Sequence, residues 1–453
     1  MSFIVVGGGP SGLAFCHYSD SPCVLYEAAA SIGGCHAVDR SNDCLFAEHS
    51  PRVVFESYVC FIDLLEDMGY TMDDLYRSYD FSAQSSTLPL IKQGNAKDAL
   101  LISSLFTQSC LWPEAGKNRI VAEAIKHFSL PAKDIIRRIC KLTDGADANR
   151  LTLHEFMYAV QMSFIYKGKQ PRLPNDLGLF KIWQSFLTDK GHQIETNCGV
   201  KQLVAENDII VRLVLNDDKE VETINANVIL AIPPVSFYQL LKKSNLLDAY
   251  ETNIEKWAAE SQYDTYYSFC IHYKEIQNIP HVWGFPRGNF GVGFIDMNGT
   301  DFHDLRSVHV ISCCVIFDNI QSIKTGKTLN EMLTQNSEKE IITECLRQMN
   351  MGLRYPDYVT RPNQVNKAYV TTTLSKHGLP FQTKYKNLFT LGTHNEKHTI
   401  GITSMESAVQ NALVLAKQFG HGQKFYLKKA YNLFEITQKI IFVLLFLVVV
   451  MRG

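Results

Sequence analysis

The tightest constraint on this chain lies near its start. Residues 2–18, SFIVVGGGPSGLAFCHY, pass from an apolar strand into glycines spaced Gly7-x-Gly9-x-x-Gly12 and then into a helical pattern. Cys23 to Glu27 (CVLYE) reads as a second strand, so the opening is a β-α-β unit. Each glycine has a task there. Gly7 permits the tight turn, Gly9 lets a phosphate approach the backbone, and Gly12 lets the helix pack on the strand. The helix N-terminus, with Pro10 and Ser11 in its first turn, offers N–H groups and a positive dipole end to phosphate. Glu27, 20 residues after Gly7 and followed by Ala28, suits a ribose diol and would repel a 2′-phosphate. The unit predicts a dinucleotide and leaves open whether that is a nicotinamide or a flavin.

The chain has 453 residues, too many for one compact core, and its 46% hydrophobic and 20% charged content is that of a globular protein. A formal net charge of −2 gives no field for nucleic acid. The 12 cysteines form neither a CxxC pair nor a zinc spacing, which predicts free thiols in a reducing compartment and no metal centre. Asp144 to Glu155 (DGADANRLTLHE) faintly resembles a calcium loop but carries Ala146 and Ala148 at ligand positions and Asn149 at the turn. An Asp-rich loop before a helix is the expectation there.

Helical periodicity runs over 53–68, 121–128, 133–141 and 152–165; residues 82–120 carry no clear pattern. Residues 171–203 read as a helix, a glycine turn and a short strand. A hairpin is expected over 208–215 and 220–224. VILAI (228–232) reads as a buried strand stopped by Pro233-Pro234. Residues 264–273 and 308–317 read as strands of a second, antiparallel sheet, 387–392 as a further strand, and 404–419 as a helix.

Near the C-terminus, Ile440 to Met451 (IIFVLLFLVVVM) is unbroken apolar sequence, preceded by Lys424, Lys428, Lys429 and Lys439. As a helix this stretch spans about 18 Å, short of a ~30 Å hydrocarbon core. The flanking lysines suit an anionic membrane surface. A membrane anchor, spanning or monotopic, is the expectation, with the protein on the cytoplasmic side and no secretory leader. A buried terminal element or an oligomer contact are the other readings.

A second glycine pair follows the β-α-β unit, in Ser31-Ile32-Gly33-Gly34. With it the chain resembles the flavin-containing amine oxidoreductase superfamily, which includes amine oxidases, protoporphyrinogen oxidases and phytoene-type desaturases. That family places a basic residue after the pair, whereas this chain has Cys35-His36. Phe46-Ala47-Glu48-His49-Ser50-Pro51-Arg52 resembles the acid, His-Gly-Pro-Arg segment of the protoporphyrinogen-oxidase-like branch, with Ser50 in place of glycine. Gly199 to Leu203 resembles the strand whose valine, here Val200, contacts adenine. VILAIPP, with Pro233, resembles the strand exit beside the cofactor. Asn387 to Thr393 and Thr403 to Val409 are similar to the closing motif, with Asn411 where a glycine is usual. The matching blocks, near 1–60, 195–235 and 385–420, cover about a third of the chain.

The resemblance implies an α/β flavoprotein. A Rossmann-like FAD domain of glutathione-reductase type (1–60, 170–240 and 380–422) would interleave with an α+β substrate domain (61–169 and 241–379). A basic linker and hydrophobic tail (423–453) would follow. FAD would contact Gly7, Gly9, Pro10, Ser11, Gly12, Glu27 and Ala28, then Gly33, Gly34, Cys35, Val200 and Pro233, and finally Gly392, Thr393, Ser404 and Met405. Attachment would be non-covalent, since the last cysteine, Cys345, precedes the closing motif. A small-molecule substrate, amine-like or porphyrinogen- or polyene-like, would give a hydride to flavin N5. Many amine oxidases of the family place a lysine near N5; the comparable strand here, YDTYYSFCIHY, holds none before Lys274. Tyr263, Tyr266 and Tyr267 either line a cavity or belong to an ordinary strand. His49, Arg52, His394 and His398 are the candidate acid–base or anion-binding side chains. A non-redox flavoenzyme such as a sugar mutase, and a flavin-binding protein without turnover, stay open. Nothing in the sequence indicates an oligomeric state.

Overall fold

A computed structural model describes residues 2–42, 44–49, 52–78, 94–279, 283–297, 307–362, 367–370 and 378–441. Its centre is a five-stranded, all-parallel sheet in the order Leu388–Thr390, Ala226–Leu230, Ser2–Val6, Cys23–Tyr26, Gln193–Glu195. The Ser2–Val6 strand shows why the sequence is apolar without alternation. Phe3 and Val5 face one core, with helices Pro10–Tyr18, Leu179–Asp189 and Met405–Gln418. Ile4 and Val6 face another, with Leu203, Ile210, Leu213 and helix Pro234–Lys243. A parallel strand buried on both faces must be hydrophobic at every position. The predicted hairpin is the antiparallel meander Val200–Glu206, Ile209–Leu215, Glu220–Glu222, with Asp218 at a left-handed φ of 67° in its turn.

The second sheet is antiparallel, in the order Trp283–Arg287, Val292–Asp296, His309–Val315, Tyr267–Tyr273, Tyr358–Thr360. One face packs on helices Leu329–Thr334 and Glu338–Met349. Residues Cys270, Ile295 and Val310 of the other join a core with Phe46 and helices Leu130–Asp144 and Leu153–Ile165.

Three stretches differ from the periodicity reading. Residues 53–68 are not one helix: Val54–Phe55 pairs with Gly168–Pro171, and the helix is Val59–Asp67. Tertiary pairing overrides the local pattern there. The unassigned stretch holds the helix Ala96–Leu111, started by an Asn95/Asp98 capping box. Leu130–Asp144 starts earlier than expected because Ser129 caps it and Pro131 sits in its first turn. In the calcium-loop look-alike, Asp147 pairs with Arg137 at 3.0 Å and Glu155 closes a capping box on Thr152.

Residues 433–441 are helical, and Ile440 and Ile441 are exposed. The rest of the apolar run lies outside the described residues. Among the described residues, no helix is long and apolar enough to cross a membrane; the expected tail helix falls almost wholly outside them. Upstream, the tail is strapped along Val59–Asp67. Lys424 pairs with Asp67, Lys428 with Asp63 at 2.6 Å, and the Lys428 N–H donates to the Cys60 sulfur at 3.3 Å.

Candidate functional site

The two glycine-rich turns meet at the C-terminal edge of the parallel sheet. The Gly33 N–H donates to Gly8 O at 2.8 Å. A Cβ on Gly34 would lie 3.1 Å from Gly9 Cα. Gly7 has φ +109°, and a Cβ there would be 2.3 Å from Ala231 O. A Cβ on Gly12 would be 2.1 Å from Gly7 O. These two glycines are therefore structural requirements. Gly9 is different: its nearest neighbour to a Cβ would be Gly34 Cα at 3.8 Å, so its α-carbon faces open space. Gly9 is the extended N-cap of Pro10–Tyr18, with Pro10 at the first position and Ser11 and Gly12 in the first turn. The backbone N–H groups and dipole end of that helix thus open onto the gap beside Gly9.

Glu27 sits over this edge. One carboxylate oxygen accepts the Gly8 N–H at 2.6 Å and the other the Ala29 N–H at 2.8 Å. Its own carbonyl accepts the Cys198 N–H at 2.8 Å. This places Gly199 against Ala28, where a Cβ on Gly199 would be 3.2 Å from Ala28 Cβ. Val200 then starts the meander. Glu27, Ala28 and Val200 are thereby brought together from two distant segments.

Pro233 caps Pro234–Lys243. Leu391 N–H donates to Leu230 O at 2.9 Å, which sets Gly392 and Thr393 beside the exit of the Ala226–Leu230 strand. Ser404 caps Met405–Gln418 through a reciprocal pair with Ser407. Asn411 accepts the Lys397 N–H at 2.9 Å and so holds the loop leading to Ser404.

The candidate acid–base residues divide. His394 is buried, bonded to Thr390 Oγ1 at 3.0 Å and set edge-on to Trp257. Burial pushes its pKa down to about 3, so it is a neutral core residue. Burial holds His398 at about 4. His49 is buried against the Tyr266 ring. Arg52 donates to the carbonyl of Cys35, directly after the glycine pair. Glu48, the acid of the segment that holds His49 and Arg52 but not among the candidate acid–base residues, is buried beside Arg52 and Ser312, and burial raises its carboxyl pKa. The tyrosines do not form one wall. Tyr266 donates to Lys141 O at 2.7 Å, whereas the Tyr267 ring lies under Arg361 at 4.2 Å. The side chain of Tyr263 lies outside the described residues. Strand pairing also sets Lys367 opposite Thr265. No local pattern signals that juxtaposition, because the partners are far apart in sequence.

Several solved structures share this architecture. An oxidoreductase from Methanosarcina mazei is 14% identical, with a TM-score of 0.66 over 92% of this chain and 100% of its own. Putrescine oxidase bound to putrescine is 14% identical, with a TM-score of 0.62 over 92% of this chain and 99% of its own. This chain has their fold. A fatty acid isomerase from P. acnes that produces CLA shares it at 10% identity, with a TM-score of 0.60 over 92% of this chain and 98% of its own. No protein-family model and no curated protein sequence matches the chain. The mixed α/β architecture around a parallel sheet is thus as expected, and it is carried by shape at low sequence identity.

Proposed function

We propose that this protein is an FAD-dependent oxidoreductase acting on a small organic molecule. The observation that carries the reading is the backbone-to-backbone contact of the Gly7–Gly12 turn with Gly33-Gly34 beneath Glu27. Close approach there is free of side chains, as a pyrophosphate needs. Gly9, Pro10 and Ser11 would receive one phosphate, and Gly33, Gly34 and Cys35 would flank the other. The Glu27 carboxylate would accept ribose hydroxyls, beside Ala28 and Val200. Pro233, Gly392, Thr393, Ser404 and Met405 would border the ring end, where the N-terminus of Met405–Gln418 favours negative charge. When bound, FAD supplies the hydride acceptor, with no covalent link to the protein. The segments 1–60, 170–240 and 380–422 would carry the cofactor and the rest up to 379 the substrate.

We further propose that the apolar run beginning at Ile440 attaches the protein to a membrane on its cytoplasmic side. The exposed Ile440 and Ile441, with the neighbouring lysines, support this reading. Removing residues 433–453 should release the protein from membranes; full-length protein found wholly in the soluble fraction would refute it.

Anaerobic mixing of the holoprotein with a panel of amines, porphyrinogens and unsaturated acids tests the redox reading. Bleaching of the oxidised flavin by at least one compound is expected. Conversion of a substrate to an isomer without bleaching would instead favour the non-redox reading, which the isomerase among the similar structures keeps in view. Flavin inert to every compound would contradict turnover.

A further inference from the structure

The helix Ala96–Leu111 has an unusual composition for a surface element. Between Asp98 and Glu114 the sequence carries no charged residue. Its inner side chains Leu101, Ile102, Leu105 and Phe106 are partly buried against the core that includes helices Leu130–Asp144 and Leu153–Ile165. Its outer side runs Leu100, Ser104, Thr107, Leu111, at the i, i+4, i+7 and i+11 spacing of one helical face, and all four are exposed. A helix facing water normally sets charges there. Here the large side chains stand out instead: Leu100 is 74% exposed, Leu111 41%, and Trp112, which ends the helix, 62%.

Two further segments extend this face. At its start, the Asp98 carboxylate accepts the Ser129 N–H at 2.8 Å, which brings in the next residue, Leu130, 81% exposed. Near its end, Ser109 Oγ accepts from Gln161 Nε2 at 2.8 Å. Just past the end of the helix that holds Gln161, the Tyr166 hydroxyl accepts the Tyr431 N–H at 3.0 Å. Lys429 also stands within electrostatic reach of Glu114, close after Trp112 in the chain. The root of the tail therefore lies beside the Trp112 end of the helix. From there the chain continues through exposed Leu433, Ile440 and Ile441 into the apolar run. Cations border the face. Lys97 and Lys133 lie one helical turn from Leu100 and Leu130, and Lys439 covers the Tyr431 ring at 3.5 Å.

We propose that this uncharged helix face, with Trp112 and Leu130, lies on the surface of an anionic lipid bilayer as a second contact beside the tail. The proposal rests on the reading above that the run from Ile440 attaches the protein to a membrane. A tail anchored next to Trp112 keeps the face at the bilayer, so individually weak contacts suffice. An indole settles at headgroup level, where one end of the ring meets apolar chains and the other water. The bordering lysines attract anionic headgroups. A specific protein partner fits less well. Such an interface buries about 800 Å² per partner around a packed centre. These leucines are instead strung along a helix of about 24 Å, with short polar side chains between them.

The test uses full-length protein and vesicles of phosphatidylcholine and phosphatidylserine, with or without bromine on the acyl chains near the headgroup. Flotation reports attachment, and tryptophan fluorescence reports contact. Trp183 and Trp257 are buried, out of reach of lipid. Brominated vesicles should quench the parent protein, and Trp112→Phe should lose most of that quenching while still floating. Leu100→Glu combined with Leu130→Glu should weaken quenching at least twofold, with flotation and circular dichroism unchanged. Floating protein that is quenched equally with and without Trp112 would overturn the proposal and leave the tail reading intact. Protein that does not float would refute the tail reading and this one with it. In detergent solution, a doubled sedimenting mass abolished by Leu100→Glu would assign the face to a second copy of the chain and overturn the proposal as well.

Discussion

The Glu406 carboxylate accepts the backbone N–H groups of Cys60 and Phe61, at 2.9 and 2.8 Å. Glu406 lies in the first turn of Met405–Gln418 and caps the first turn of Val59–Asp67, so one helix start holds another. It is fully buried, and Gln410 Nε2 also donates to it at 2.7 Å. Glu406→Ala leaves two buried donors unpaired and should cost roughly 2–4 kcal/mol of stability. Glu406→Gln, which keeps one acceptor, should cost less. Urea unfolding of the three proteins checks the order.

Gly9 and Gly12 belong to one motif but should respond differently. A Cβ at residue 12 lands 2.1 Å from Gly7 O, so Gly12→Ala should yield little folded protein. At residue 9 the nearest atom is 3.8 Å away. Gly9→Ala should fold with the parent's circular dichroism and melting temperature when cofactor-free, yet bind FAD at least tenfold more weakly. Equal FAD affinity in Gly9→Ala would remove the phosphate from this turn.

Acid should destabilise the fold earlier than carboxylate titration alone would. His17, His394 and His398 all have their pKa lowered from 6.5, chiefly by burial. A depressed histidine contributes stability that is present above its unfolded pKa and lost as pH falls below it. Asp67, held at about 2 first by its bond to His17, adds a loss that begins lower, as pH falls below 3.8. Melting temperature should therefore decline from about pH 6.5 downward. His394→Phe should flatten part of that decline. A flat profile between pH 7 and 5 would contradict the buried, neutral histidines.

The opening unit was legible because its physics is local: a strand, three spaced glycines and an acid at the next strand end. Val5 and Ile229 also announced themselves, since strands covered on both faces are apolar throughout. Other features depend on partners far away. The helix Ala96–Leu111 buries only Asp98 and Cys110 among its residues, so it shows no apolar stripe to read. His394 looked like a loop residue near the cofactor until Trp257 and Thr390 closed around it. Glu406 stood next to Met405 in a recognisable motif, yet its role needs Cys60, which the sequence places far upstream. The Lys367 and Thr265 pairing is of the same kind.

The strap on Val59–Asp67 reaches the loop that precedes Ser404. Lys428 O accepts from Gln410 Nε2 at 3.2 Å and from Thr399 Oγ1 at 3.3 Å. Gln410 Oε1 in turn accepts the Thr399 N–H at 2.7 Å. Asp63→Lys should loosen the strap and speed amide exchange in residues 397–404, with little change in the parallel sheet. Lys428→Glu introduced alongside it should return exchange toward the parent rate. The exposed ion pair itself contributes only about 0–1 kcal/mol, so the readout is local exchange rather than global stability.

The central claim is that the joined glycine turns under Glu27 hold FAD. The direct measurement is the flavin content of purified full-length protein, released by denaturation and identified by chromatography. The account predicts a yellow protein that releases about one FAD per chain and nothing covalently retained. A colourless protein that added FAD cannot convert to a flavin-bound form would contradict it.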